Sequence, residues 1–202
     1  MEKHSWEKAW EEEKFKIITL KPSVVVERYK DNFLQGDFVL DVGCGNGRNA
    51  IYLAGLGCNV DCFDVADTKF TESLNPELKR KINFVKTDTI KYPYVTEKYK
   101  AVVVTRVLQY LNENELLDLF QKILISLKPC GFILMSFNTQ GGIFERKEID
   151  VPKYRYSIEK IEKILKDIFK KVTITKGSAQ SQSVNYEGKI KSYDIYAGGS
   201  HA

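Results

Sequence analysis

One stretch, Leu40-Asp41-Val42-Gly43-Cys44-Gly45-Asn46-Gly47-Arg48-Asn49, constrains the fold of this 202-residue chain more than any other. It closes the run Phe38 to Val42, which reads as a buried strand, and then alternates three glycines. Ala50, Ile51, Leu53, Ala54 and Leu56 follow at helical spacing, with Gly55 and Gly57 closing the helix. Glycine lets the backbone turn sharply and brings main-chain N–H groups close to a ligand. The spacing is G-x-G-x-G, whereas a pyrophosphate-binding dinucleotide turn would want its third glycine one position later, where Arg48 stands. Asp41, just inside the strand, is an awkward neighbour for a phosphate and a good partner for an ammonium group.

The rest of the chain continues the alternation. Asn59 to Phe63 reads as a second strand ending at Asp64, Ile82 to Val85 as a third, and Ala101 to Val104 as a fourth. Between Glu113 and Leu127 the residues Leu116, Leu119, Phe120, Ile123 and Leu127 form a helix stripe. Lys128-Pro129 stops that helix and Gly131 starts a fifth strand through Phe137. Continuous apolar strands alternating with helices argue for a doubly wound, mostly parallel α/β sheet covered on both faces. Ser157 can cap a helix through Phe169. Val172 to Thr175 and Ile190 to Ala197 leave no room for a helix between them, so these strands pair antiparallel at a sheet edge. The expected organisation is a single domain over 1–202, with a helical arm to residue 35, a core over 36–197 and a tail over 198–202. The arm carries one helix around Ser5 to Phe15 and another from Pro22.

Asp41-Val42-Gly43-Cys44-Gly45-Asn46-Gly47 resembles the first motif of the class I S-adenosylmethionine-dependent methyltransferases. The resemblance runs over roughly residues 36–197. It implies a Rossmann-like seven-stranded sheet with an antiparallel strand at the C-terminal end, and S-adenosylmethionine as cofactor. Carried over by position, it makes Asp41, Gly43, Gly45 and Gly47 cofactor-binding. Asp64 then binds the ribose hydroxyls, and Asp88 and Thr89, with Ile90 beside them, receive the adenine. Arg106, in Thr105-Arg106-Val107, touches the methionine end. Leu127-Lys128-Pro129-Cys130-Gly131 resembles the family's Pro-Gly-Gly turn, with Cys130 replacing one glycine. The residues themselves leave competing readings open: Asp64 as a helix cap, Asp88 as a turn-former, Arg106 in a surface salt bridge. The implied reaction is methyl transfer by in-line displacement, for which the sequence offers no convincing acid or base.

Charge and composition bear on the acceptor. Lys and Arg total 31 against 27 Asp and Glu, a net charge of +4 with no basic block, so there is no electrostatic footprint for nucleic acid. A small-molecule acceptor is therefore expected. The rivals are an RNA or protein acceptor, with Lys147, Lys153 and Arg155 to watch, and a non-catalytic scaffold. No apolar run approaches a membrane span and no signal core follows Met1, so a cytoplasmic protein is expected. Cys44, Cys58, Cys62 and Cys130 lack framework or zinc spacing and read as reduced thiols. Trp6, Ala9 and Trp10 share a helix face, loosely similar to the arm of thiopurine methyltransferases, and make the arm a candidate lid. Gly47 to Leu53 also resembles tellurite-resistance methyltransferases. Tyr110 and the loop from Asn138 to Tyr156, with Gly141, Gly142, Phe144, Tyr154 and Tyr156, could wall an acceptor pocket.

Overall fold

The computed structural model describes residues 20–138, 154–176 and 192–200. Its strands are β1 (Phe38–Val42), β2 (Asn59–Asp64), β3 (Ile82–Lys86), β4 (Tyr99–Thr105), β5 (Leu127–Asn138), β6 (Phe169–Lys176) and β7 (Ser192–Ser200). They form one seven-stranded sheet in the order β3-β2-β1-β4-β5-β7-β6. The first five strands are parallel, and β7 runs antiparallel to both β5 and β6. The helices are α1 (Val24–Arg28), α2 (Arg48–Gly55), α3 (Pro76–Lys81), α4 (Glu113–Ser126) and α5 (Ile158–Ile168).

Strand alternation distributes the core over both faces of the sheet. Leu40, Val42, Val102, Val104, Ile133 and Met135 pack with Leu116, Phe120 and Ile123 of α4 and with Ile161 and Leu165 of α5. Val39, Val60, Cys62, Val103 and Leu134 pack with Val25 and Val26 of α1 and with Ala50 and Leu53 of α2. Burying such a side chain fully is worth roughly 1.5–3 kcal/mol, so both helical layers are held by the same strands. The helix expected from Pro22 starts at Val24, with Ser23 at its N-cap. It is tied to the sheet by Tyr29 stacked on Tyr196 at 5.0 Å and Phe33 against Phe132 at 5.5 Å.

Three details depart from expectation. The fifth strand does not wait for Gly131. It begins at Leu127, and the Lys128-Pro129-Cys130 segment is absorbed as a register shift opposite Tyr99 and Ala101. There Cys130 takes φ +64°, while Pro129, which has no N–H to give, lies on the exposed side. Helix α3 was not anticipated; its signal is Asn75-Pro76, where Asn75 Oδ1 accepts the Leu78 N–H at 2.9 Å and proline occupies the first turn. Residues 198–200, expected in a tail, belong to β7.

A buried polar cluster braces one face. Asp61 on β2 accepts hydrogen bonds from Lys98 Nζ, from Tyr99 OH at 2.8 Å and from Asn83 Nδ2 at 3.1 Å, while Tyr92 and Tyr99 share an O–H···O contact of 3.1 Å. Burial alone would raise the Asp61 pKa, but these donors outweigh it and hold the carboxyl below its ordinary value.

Candidate functional site

Strand order reverses between β1 and β4, and in open α/β sheets such a switch point opens a crevice beyond the carboxyl ends of the strands. The glycine-rich turn fills its floor. Gly43, Gly45 and Gly47 all adopt positive φ, at +64°, +55° and +73°. A Cβ on Gly43 would stand 2.6 Å from Val107 Cγ2, and one on Gly47 2.2 Å from the Phe70 ring. These positions therefore exclude side chains by backbone strain and by contact. The turn is tied down by the Cys44 N–H to Phe63 O at 3.0 Å and by Thr68 Oγ1 to Gly45 O at 2.8 Å.

Asp41 lies at the end of β1 with no exposed surface, and neither carboxylate oxygen has a hydrogen-bond partner. Burial pushes its pKa up to about 7, opposed chiefly by the Arg48 guanidinium and reinforced by Asp64. The Ala50 N–H and the Asn49 amide are near enough to favour the anion, yet neither reaches hydrogen-bonding geometry. A buried carboxyl without donors is costly.

Asp64 ends β2 and faces the same turn. Its Oδ2 accepts the Gly45 N–H at 2.9 Å and its Oδ1 accepts the Ala66 N–H at 3.0 Å. Burial raises its pKa, with these backbone donors working the other way. A carboxylate offers about four acceptor sites, so Asp64 keeps capacity after bracing the loop. Asp88 and Thr89 follow β3, whose exit is joined to β2 by the Thr87 N–H to Asp64 O at 2.9 Å. Asp88 bonds within its own turn, Oδ1 accepting the N–H groups of Ile90 at 3.0 Å and Lys91 at 2.9 Å.

Arg106 leaves β4 at φ +60°, its N–H donating to Ser136 O at 2.8 Å. Arg48, in the first turn of α2, has its pKa lowered by burial and then by Arg106, against the pull of Asp41. The site thus gathers Asp41, Asp64, Arg48 and Arg106 around the glycine turn, while Asp88 and Thr89 stand one strand further out.

Sequence reading missed the buried bonds of Asn49, which reach Ser23 and Thr105 at 2.8–3.1 Å. The available signal was an amide directly after Gly47-Arg48, in a helix turn that such a side chain does not favour. Cys44, Cys58 and Cys62 are buried free thiols and Cys130 is an exposed one. Among the described residues no cluster of His, Cys, Asp or Glu could hold a metal ion, and no helix is long and apolar enough to cross a membrane.

Tyr110, expected at the acceptor pocket, lies in the short 3-10 turn Leu108–Tyr110 after β4. The chain returning from the loop is anchored on this turn and the residue after it. The Tyr154 N–H donates to Gln109 O, and Tyr156 OH donates to Leu111 O, both at 2.7 Å. Trp6, Ala9, Trp10, Phe15, Gly141, Gly142, Phe144, Lys147 and Lys153 lie outside the described residues.

Residues 39–131 match a family model described as a methyltransferase domain. The ribosomal protein L11 methyltransferase of Campylobacter concisus (strain 13826) is 30% identical over 129 residues, 63% of this chain and 42% of that protein. The chain thus spans less than half of that relative. The magnesium-protoporphyrin O-methyltransferase of Rhodobacter capsulatus is 25% identical over 178 residues, 81% of this chain and 77% of the relative. Among solved structures, 1,6-didemethyltoxoflavin-N1-methyltransferase of Burkholderia thailandensis superposes with a TM-score of 0.69 at 13% identity, covering 98% of this chain and 79% of that one. An S-adenosylmethionine-dependent methyltransferase structure from Listeria monocytogenes gives 0.64 at 17% identity, covering 87% and 97%. The strand order, the glycine turn and the sequence match converge: over residues 39–131 the chain matches a methyltransferase domain, and it shares the fold of S-adenosylmethionine-dependent methyltransferases.

Proposed function

We propose that this chain binds S-adenosylmethionine between the tips of β1 and β4 and methylates a small-molecule nucleophile. The observation that carries the reading is Asp41, a fully buried carboxyl lacking any hydrogen-bond donor beside three positive-φ glycines. The cofactor, when bound, supplies a methyl group already activated on a sulfonium and brings an ammonium group. Asp41 would neutralise that ammonium, and the backbone of Gly43, Gly45 and Gly47 leaves room for close approach. Asp64 would accept the ribose hydroxyls on the lone pairs left by Gly45 and Ala66. Asp88 and Thr89 would border the adenine, and Arg106 the methionine end. The protein's contribution is to align the acceptor and exclude water, which needs no acid or base among these residues.

The small-molecule acceptor is supported by the magnesium-protoporphyrin relative and by the toxoflavin-precursor enzyme with the same fold. The Campylobacter relative, named for a ribosomal protein, favours a protein acceptor as the second reading. Calorimetric titration with S-adenosylhomocysteine tests the cofactor site, since a ligand that binds only the folded state also raises its melting temperature. Absence of both heat and thermal shift would refute the site. Turnover of labelled S-adenosylmethionine with small-molecule pools or with ribosomal protein would then separate the two acceptor readings.

A further inference from the structure

The 3-10 turn Leu108–Tyr110 stands between the glycine turn and the chain over 154–156. Val107, just before it, packs on the glycine turn: a Cβ on Gly43 would lie 2.6 Å from Val107 Cγ2. On its other side Gln109 O accepts the Tyr154 N–H and Leu111 O the Tyr156 hydroxyl, both at 2.7 Å. Gln109 itself is half-buried. Its side-chain Oε1 is shielded from solvent and has no hydrogen-bond partner among the described residues. A shielded amide oxygen without a donor is a cost to the folded chain. Costs of this kind are kept where function needs them.

We propose that Gln109 recognises the methyl acceptor, its Oε1 accepting the N–H of a neutral amine and so orienting the nitrogen lone pair. The inference rests on the reading of this crevice as the S-adenosylmethionine site and narrows the acceptor to an N–H nucleophile. An amide oxygen accepts a hydrogen bond but is no base. It can hold an amine, whose lone pair attacks while the proton stays on nitrogen. A hydroxyl would have to give up its proton, which Gln109 cannot take. In the transfer the nitrogen forms the new bond to the methyl carbon, and the electrons of the breaking C–S bond stay on sulfur. The nitrogen becomes a cation, and its surplus proton passes to water after release. The N–H···Oε1 bond turns from neutral to charge-assisted on the way. It is therefore stronger in the transition state than with the bound amine, the condition for accelerating the step. Half-buried Tyr110 and exposed Tyr154 flank Gln109, and such rings suit an aromatic amine as the probe.

The test uses the full chain and two probes of like shape, aniline and N,N-dimethylaniline, the second lacking any N–H. Gln109→Met keeps the length of the side chain and removes the amide. With no partner in the fold to lose, the variant should melt about 2–4 °C above wild type. Its affinity for S-adenosylhomocysteine should stay within about twofold of wild type. A melting temperature at or below wild type would assign the amide to the fold and overturn the proposal. With S-adenosylhomocysteine bound, the Gln109 side-chain amide is followed by NMR, identified by the signal lost in Gln109→Met. It should shift with aniline and not with N,N-dimethylaniline, and the variant should bind aniline about tenfold more weakly. Equal binding of the two probes, or no response to aniline, overturns the proposal. With labelled S-adenosylmethionine, aniline should be methylated and phenol should not. Methylation of phenol at a comparable rate, or of neither, overturns the amine assignment. Failure of the wild type to bind S-adenosylhomocysteine refutes the cofactor reading and the proposal together, whereas binding it without an aniline response refutes the proposal alone.

Discussion

The N–H of Gly45 donates to Oδ2 of Asp64 at 2.9 Å, across 19 positions of sequence. One carboxylate thus sets the height of the glycine turn over the sheet while remaining at the crevice rim. Asp64→Asn keeps a single acceptor oxygen, so Gly45 and Ala66 cannot both be served. Hydrogen bonds to charged groups are worth about 1.5–3 kcal/mol each. The variant should therefore lose roughly that much stability in urea denaturation, and calorimetry should show at least about a tenfold weaker S-adenosylhomocysteine complex. An unchanged affinity would take Asp64 out of the site.

Gly47→Ala meets two penalties, a left-handed backbone at φ +73° and the Phe70 ring 2.2 Å from the new Cβ. Left-handed strain costs roughly 1–2 kcal/mol and overpacking about 1–3 kcal/mol. Denaturant midpoints should fall accordingly, and Phe70→Leu in the same chain should restore part of the loss. No recovery would mean that strain, rather than the ring, dominates.

Asp41 makes stability depend on pH. Its folded pKa of about 7 lies above the ordinary 3.8, so between these values the native state holds a proton the unfolded chain has released. Stability therefore falls as pH rises across that window, by about 1.4 kcal/mol per unit shifted, or roughly 4 kcal/mol in all. Asp64, also raised by burial, acts in the same direction. Asp41→Asn should flatten the curve, making the variant more stable than wild type at pH 8 and a poorer binder of the cofactor. Melting temperatures from pH 4 to pH 8 test this directly, and a wild-type profile rising over that range would contradict it.

The Asp61 cluster has the opposite sign. Its carboxyl is held below the ordinary value, so its contribution is present above that value and lost as pH falls through the folded pKa. Lys98→Met strips the cation from a carboxylate whose side chain is 9% exposed. The expected loss is roughly 2–4 kcal/mol at pH 7, less than for a fully buried pair because Lys98 itself is partly solvated. Denaturation at pH 7 and again at pH 3.5 should show the penalty shrinking at the lower pH.

Sequence alone determined the doubly wound sheet, the glycine turn and the strand-tip carboxylates. Those features are local: apolar runs of strand length, glycines where φ turns positive, and acids placed by counting to a strand's end. The Asn49 bonds to Ser23 and Thr105 are not local, because the partners stand 26 and 56 positions away and meet only once the chain has folded. The same holds for Asp41, whose composition-level identity as an acid says nothing of its pKa. Only the folded chain, by removing water and leaving the carboxyl without donors, decides that its pKa is raised. Pro129 shows the converse: read locally it ends a helix and delays a strand, yet pairing with β4 extends β5 back to Leu127. Hydrogen bonds supplied by a neighbouring strand override a single residue's preference, and that neighbour is chosen by tertiary packing.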